Sequence, residues 1–408
     1  MNKKKLVVIG GGAAGFFCAI NAARLQPQLE VTILEKTGKL LSKVKVSGGG
    51  RCNVTHSCFS IGDMIKKYPR GDKFLKKAFH YFFTSDTINW FLVRGIKTKT
   101  EKDGRMFPVS NDSQTIVDGF LNEAQKYNVK IEMNTDVAAL QCQNSKWIIT
   151  TSFNKIIEAD FVCVASGGFI KMVNAKWLSL LGHTIATPVP SLFTFNMPHN
   201  AITKLMGLSV ENVRVKIVGE KLETDGPLLI THWGFSGPAI LKMSAYAALI
   251  LAEQNYDFTV IINWLPIYNE NLLREKMQLL RFDMATTKMQ NKNPFLLPSR
   301  LWEYLLLESG IKDGIKWADL PAKEQNLLIK NLCLQSFKVK GKTTFKEEFV
   351  TAGGVNTEEI NVNTMESKLQ KNLFFAGEVI NVDGVTGGFN FQNAWTTGWI
   401  AAKAIANA

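Results

Sequence analysis

A chain of 408 residues exceeds the ~100–200 residues of a usual domain, so two or three domains are expected. With 46% hydrophobic and 20% charged residues it can bury a sizeable core, and no tract is biased enough for a disordered or fibrous protein. The net charge of +13 would suit a polyanionic partner, yet the lysines are scattered, so a solvated basic surface is expected rather than a nucleic-acid or membrane site.

The N-terminus passes from Lys5 into an apolar strand with no signal-peptide cleavage pattern, which points to the cytoplasm. Six widely spaced cysteines (Cys18, Cys52, Cys58, Cys142, Cys163, Cys333) fit reduced thiols rather than a disulfide framework, and show no metal-ligand spacing. Leu6–Ile9 reads as a buried strand, followed by Gly10-Gly11-Gly12-Ala13-Ala14-Gly15 and a helix with apolar Phe16, Ala19, Ile20 and Ala23. Gly10, Gly12 and Gly15 fit G-x-G-x-x-G, in which tight turn, close backbone approach to a pyrophosphate and helix–strand packing each need a glycine. Val31–Leu34 reads as the second strand and ends in Glu35, a carboxylate placed to accept from an adenosine ribose.

The segment 38–56 reads as a loop, with Ser47, Gly48, Gly49, Gly50, Arg51 and Asn53 setting glycines that can lie against a flat ligand beside a cation for a phosphate. Tyr68–Val93 has roughly helical spacing, Pro108 forces Phe107 out of helical geometry, and Ser110–Tyr127 reads as an amphipathic helix starting near Asp112 or Ser113. A meander is expected from Lys130–Met133 through Ile156–Ala159, feeding the buried strand Asp160–Val164 and the small residues Ala165, Ser166, Gly167 and Gly168, which let the chain pass under a cofactor.

From Pro188 the pattern changes. Val210–Val218 and Tyr256–Asn263 read as strands, and Thr231–Pro238 as a compact turn. A helix is expected over Ala239–Ala252; Gly237, Pro238 and Lys242 argue against a membrane span there. Asn269–Lys330 is mostly helical, and strand character returns at Leu334–Phe337 and Phe345–Phe349. In Asn372–Gly398 a buried strand ends at Gly377–Glu378, and a glycine-rich loop opens a final helix, bringing a carboxylate and a helix N-terminus to one point.

With GGGAAG (10–15), SGGGRCN (47–53), GRMFP (104–108), THWGFSGPA (231–239), TAGGV (351–355), TMESK (364–368) and FFAGEVINVDGVTGGFNFQNAW (374–395), the sequence resembles the BaiN-like family of bacterial FAD-binding oxidoreductases. These are three-domain flavoproteins related to aminoacetone oxidase and bile-acid reductases. The resemblance spans nearly the whole chain and implies an α/β fold: a Rossmann-like FAD-binding domain split between both chain ends, at 1–188 and 351–408. Inserted in it would be a β-barrel-like domain at 189–268, completed by 331–350, and a small helical subdomain at 269–330.

The resemblance also implies noncovalent FAD. Its pyrophosphate would lie on Gly10, Gly12, Ala13, Ala14 and Gly15, its adenosine on Glu35, Lys36 and the backbone of Val137, and its phosphate and flavin side on Ser47–Gly50, Arg51 and Asn53. Ser166, Gly167, Gly377, Glu378, Gly387, Gly388, Phe389, Asn390 and Phe391 complete the cofactor set. Arg105, Phe107, Trp233 and Ser236 are substrate-side candidates, and His232 is either a proton donor or an organiser of its own loop. The implied activity passes hydride or electrons between a small organic substrate or NAD(P)H and a second acceptor, with the flavin doing the redox chemistry. With one dinucleotide fingerprint, NAD(P)H would bind only transiently. Two alternatives remain: an FAD-containing RNA-associated or regulatory protein, suggested by the charge, and a flavin-linked thiol–disulfide enzyme using Cys52 and Cys58.

Overall fold

Five short runs rich in Val, Ile, Leu and Phe hydrogen-bond into one parallel sheet, in the order Leu373–Phe375, Phe161–Val164, Lys5–Ile9, Glu30–Leu34, Lys130–Glu132. The three middle strands are almost wholly buried, as expected where helices cover both faces of a parallel sheet. The computed structural model describes residues 3–344 and 350–408, so the strand expected at Phe345–Phe349 lies outside the described residues. The chain forms two compact units, Met1–Ser191 with Phe345–Ala408, and Leu192–Thr344.

In the first unit the helices Ala13–Leu25 and Phe389–Ala406 pack closely at small residues: a Cβ at Gly398 would lie 3.0 Å from the Ala14 carbonyl oxygen. Phe17, Trp90, Phe120 and Trp395 interlock between them, and the Trp395 indole donates to the Val54 carbonyl at 2.9 Å. Two helices from opposite ends of the chain thus pack on each other. Lys130–Glu132, expected to begin the meander, instead pairs with Thr32–Leu34 as the parallel edge strand. The meander itself is Val137–Gln143, Lys146–Thr151 and Ile156–Ala159. Alternation marks a half-exposed strand but carries no information on which neighbour it pairs with.

A second difference lies in 38–56, where Ser42–Gly50 is helical up to a break at Ser47, Gly48 and Gly49. The amphipathic helix forms over Gln114–Lys126, with Asp112 accepting from the Gln114 N–H at 2.8 Å.

His183 is buried in this unit, with Nδ1 3.1 Å from Glu359 and Nε2 3.1 Å from Ser367 Oγ. Burial lowers its pKa although Glu359 acts the other way. A histidine kept neutral by folding contributes stability above its unfolded pKa near 6.5, and this is lost as pH falls through the lower folded value. Urea midpoints are therefore expected to drop between pH 7 and pH 5, with a shallower drop in His183→Gln; equal slopes would exclude His183 as the source.

The second unit is a seven-stranded antiparallel sheet, ordered Gln335–Lys340, Asp257–Asn263, Ser209–Ile217, Glu223–Ile230, Gly234–Ser236, Thr194–Asn196, Lys342–Thr343. Inward residues alternate along it, for example Val213, Val215 and Ile217, and they share one core with the helices Glu270–Asp283, Ser299–Glu308 and Ala322–Cys333. The helix expected at Ala239–Ala252 is two, Pro238–Tyr246 and Ala248–Glu253, separated at Ala247.

Candidate cofactor site

The central strands run parallel, so their C-terminal ends lie along one edge, where ligands of open α/β sheets bind. Gly10, Glu35, Ala165 and Ala376 follow four of these ends, and lateral bonds hold them together: Gly10 N–H to Leu34 O at 2.8 Å, Ala165 N–H to Ile9 O at 2.8 Å, Ala376 N–H to Val164 O at 3.0 Å. Gly10 has φ +115° and a Cβ there would sit 2.3 Å from the Ala165 oxygen; at Gly15 it would sit 1.9 Å from the Gly10 oxygen. Both positions therefore admit only glycine. At Gly12, Gly49, Gly50 and Gly167 a Cβ would meet nothing within 4 Å. Gly49, Gly50 and Gly167 have positive φ, which favours glycine by itself; at Gly12 neither backbone nor packing demands it, so an open cradle for a ligand accounts for that glycine better.

The first bond of the helix after Gly12 runs from Phe16 N–H to Gly12 O, so the preceding N–H groups are the orphans that accept an anion. Glu35 sits beside this turn, accepting from Gly11 N–H at 2.8 Å and from Thr37 N–H at 2.9 Å. Thr135 N–H donates to the Glu35 carbonyl at 2.8 Å, bringing the segment leading to Val137 next to it. Lys36 points into solvent.

The C-terminal stretch meets this cradle. A Cβ at Gly377 would lie 2.7 Å from the Ala14 methyl, so the carboxylate of Glu378 follows directly from the first helix's start. Glu378 accepts from Thr351 N–H at 2.8 Å and pairs with Lys43 at 2.6 Å. The loop 384–388 is fixed from several sides. Asn390 both accepts from Gly384 N–H and donates to its carbonyl, each at 2.8 Å; Tyr68 donates to Phe389 O at 2.7 Å; Val385 N–H donates to Lys67 O at 2.9 Å. Asp383, fully buried, receives both Nε and Nη2 of Arg70 and the Ser191 hydroxyl at 3.0 Å. Asn53, with its amide oriented to suit its neighbours, accepts from Gly388 N–H and donates to Thr55 O, both at 2.9 Å. The final helix thus starts on a rigid turn, with its first-turn dipole aimed along the sheet edge.

Some expected roles change. Arg51 pairs with Glu101 at 2.6 Å and lies 4.0 Å over the Phe107 ring, so its charge is already compensated. Arg105 is held by Asp103 at 2.7 Å and also faces Phe107, whose ring is fully buried; Phe107 is a floor for two guanidiniums rather than a substrate contact. Ser47 donates to Val44 O at 3.1 Å. Phe389 stacks on His56 at 4.9 Å and Phe391 on Trp395 at 5.6 Å, so their rings face protein and only their backbone can serve a ligand. Cys52 is fully buried and its thiol is pushed up to about 12 by that burial, which removes the thiolate a disulfide exchange needs.

In the second unit, the turn at Thr231 is ordered by Thr231 itself, whose hydroxyl donates to Gly234 O at 3.0 Å. His232 packs edge-on against Trp233 at 4.3 Å, is exposed, and makes no hydrogen bond among the described residues. Trp233 donates to Thr194 Oγ1 at 3.0 Å, and Ser236 is half-buried on the short strand that follows. The loop-organising reading of His232 therefore passes to Thr231.

Lys43, Tyr68, Arg70 and Asp383 escaped the sequence reading. Arg70 and Asp383 lie 313 residues apart, so no local spacing could reveal their pairing; the only signal was an acidic residue inside a glycine-rich loop.

Residues 4–404 match the HI0933-like protein Rossmann domain. The chain belongs to this HI0933-like family. It is 27% identical to the 3-dehydro-bile acid delta(4,6)-reductase of Clostridium scindens, over 98% of this chain and 99% of that one. It is 30% identical to the ribosomal RNA dihydrouridine synthase of Escherichia coli, over 99% and 98%. Among solved structures it shares its fold with the 3-ketosteroid-delta4-(5alpha)-dehydrogenase of Rhodococcus jostii RHA1, at TM-score 0.51 and 13% identity over 98% of each chain. This HI0933-like protein is an FAD-dependent oxidoreductase, as the resemblance implied. The donor set fits the cofactor: open glycines, helix N-termini for phosphate, and carboxylates for hydroxyl groups. No helix among the described residues is long and apolar enough to cross a membrane.

Proposed function

We propose that this HI0933-like protein reduces a carbon–carbon double bond conjugated to a carbonyl, with NAD(P)H as the electron source. The observation that carries this reading is the full-length similarity to two reductases whose names describe saturation of such a bond, one in a steroid and one in a uracil ring. Bound FAD supplies the two-electron chemistry. The residues of the chain hold and tune: Gly12–Gly15 N–H groups take the pyrophosphate, and Glu35 takes the adenosine ribose. Glu378 accepts from the ribityl side once Lys43 turns from it. The N-terminus of Phe389–Ala406, braced by Asn390 and Tyr68, stabilises negative charge on the flavin side. Saturating the bond requires one hydride and one proton, and His232 is the proposed proton source because its imidazole is exposed and uncommitted.

The net charge of +13 and the 30% identity to the RNA enzyme favour a second reading, in which the double bond is that of a uracil in RNA. Anaerobic titration separates the readings. NADH or NADPH should bleach the bound flavin, and a 4-en-3-one steroid or a ribosomal RNA transcript should restore its colour without oxygen. Recovery with the steroid alone supports a small enone. Recovery with RNA alone, weakening as salt rises, supports the second reading. Recovery only on admitting oxygen would make the protein an oxidase and end both.

A further inference from the structure

A cavity of about 700 Å³ opens on the first unit, away from the glycine cradle. Arg24, Tyr81, Trp90, Arg94, Tyr127 and Trp399 supply most of its chemistry. Arg24 lies in the last turn of the helix whose N-terminus is the cradle, about 18 Å away at 1.5 Å per residue. A ligand there cannot touch the flavin.

The charges in this cavity do not balance. Arg94 lies 3.7 Å over the Trp90 ring and pairs with Glu123 at 2.6 Å, and Lys126 reaches the same carboxylate at 3.4 Å. Asp86, the other acid in the wall, caps its own helix by accepting from Phe83 N–H at 2.7 Å. That leaves Arg24 uncompensated. Its Nε is buried with no hydrogen-bond partner among the described residues, and its guanidinium lies over the Trp399 ring, 5.7 Å from the centroid. Burial lowers the pKa of Arg94; Glu123 acts the other way, and the nearby charge of Arg24 adds a smaller lowering, as two facing guanidiniums that repel would give. A buried unpaired donor is costly, and a bound anion would remove both that cost and the repulsion. The remaining wall is aromatic, with Tyr81 nearly half exposed at 47% and Trp399 and Tyr127 partly exposed, which offers ring faces to a planar group.

We propose that this cavity is a second binding site, for a small aromatic anion carrying a flat ring and a phosphate in the manner of a nucleoside monophosphate. The phosphate pairs with Arg24, shared with Arg94, and the ring stacks on Tyr81 or Trp399. The volume lies within the ~300–1,000 Å³ of small-molecule sites. Because the ligand cannot reach the flavin, the site serves regulation or anchoring rather than turnover.

The test is calorimetry on the FAD-loaded protein with GMP, and with guanosine and ribose 5-phosphate as its two halves. GMP should bind at least about tenfold more tightly than either half, and Arg24→Gln and Tyr81→Ala should each weaken it by about tenfold. The flavin spectrum and the rate of flavin reduction should stay as in the parent. Failure of GMP to bind at millimolar concentration, or unchanged binding in Arg24→Gln, would overturn the proposal. So would ribose 5-phosphate binding as tightly as GMP. The retained flavin spectrum shows that the variants have folded.

Discussion

Gly12→Asp is expected to give a folded, colourless protein. The position has an ordinary extended backbone, φ −94°, and a Cβ there meets nothing within 4 Å, so the fold accepts a side chain. The carboxylate would project into the cradle and oppose the pyrophosphate. Two like charges about 5 Å apart at an effective dielectric of ~20 repel by about 3 kcal/mol, at least a hundredfold in affinity. Flavin content by absorbance, with circular dichroism as the control for folding, measures this. A yellow variant with parent affinity would place the cofactor elsewhere. Gly15 makes the contrast, because a Cβ 1.9 Å from the Gly10 oxygen disrupts the turn itself.

Asp383→Ala is expected to lower stability by ~3–5 kcal/mol, the usual cost of removing one partner from a buried ion pair. Asp383 has no exposed surface and the Arg70 side chain only 13%, so a largely buried guanidinium would lose the carboxylate that accepts from both its Nε and its Nη2. Ser191 would lose its acceptor, and the loop 384–388 would lose the anchor at its start. The flavin-release temperature should fall by roughly 10 °C, at a few degrees per kcal/mol for a unit of this size. The double variant Arg70→Met/Asp383→Leu should recover much of this loss, since an apolar pair of similar volume leaves no unpaired charge. If the double variant were as unstable as the single one, the defect would lie in loop packing rather than in the charge. Asp383 titrates above its usual range because burial outweighs Arg70, which agrees with a carboxylate retained for the geometry of the loop it starts.

The legible parts of this protein were those with a local physical signature. The strand–glycine–helix unit at Leu6–Leu25 combines a buried run, two sterically obligate glycines at Gly10 and Gly15 with an open one at Gly12 between them, and a carboxylate at a fixed distance, all within 35 residues. The C-terminal strand, Glu378 and the glycine loop were legible for the same reason. Arg51 and Phe107 show where this stops. A cation beside three glycines reads as a phosphate clamp, but Glu101, fifty residues on, takes its charge, and Phe107 turns inward beneath it.

By itself, then, the chain's sequence determined the cofactor class and the two segments whose turns and helix starts come to one sheet edge, since tight turns and helix starts depend on neighbouring residues. Only the tertiary structure decided which charges remain available there. The pairing of Lys43 with Glu378, of Arg70 with Asp383 and of Asn53 with Gly388 joins residues more than 300 positions apart. Coulomb and hydrogen-bond energies depend on distance in space, and the sequence carries that distance only after the sheet has brought both ends of the chain to one edge.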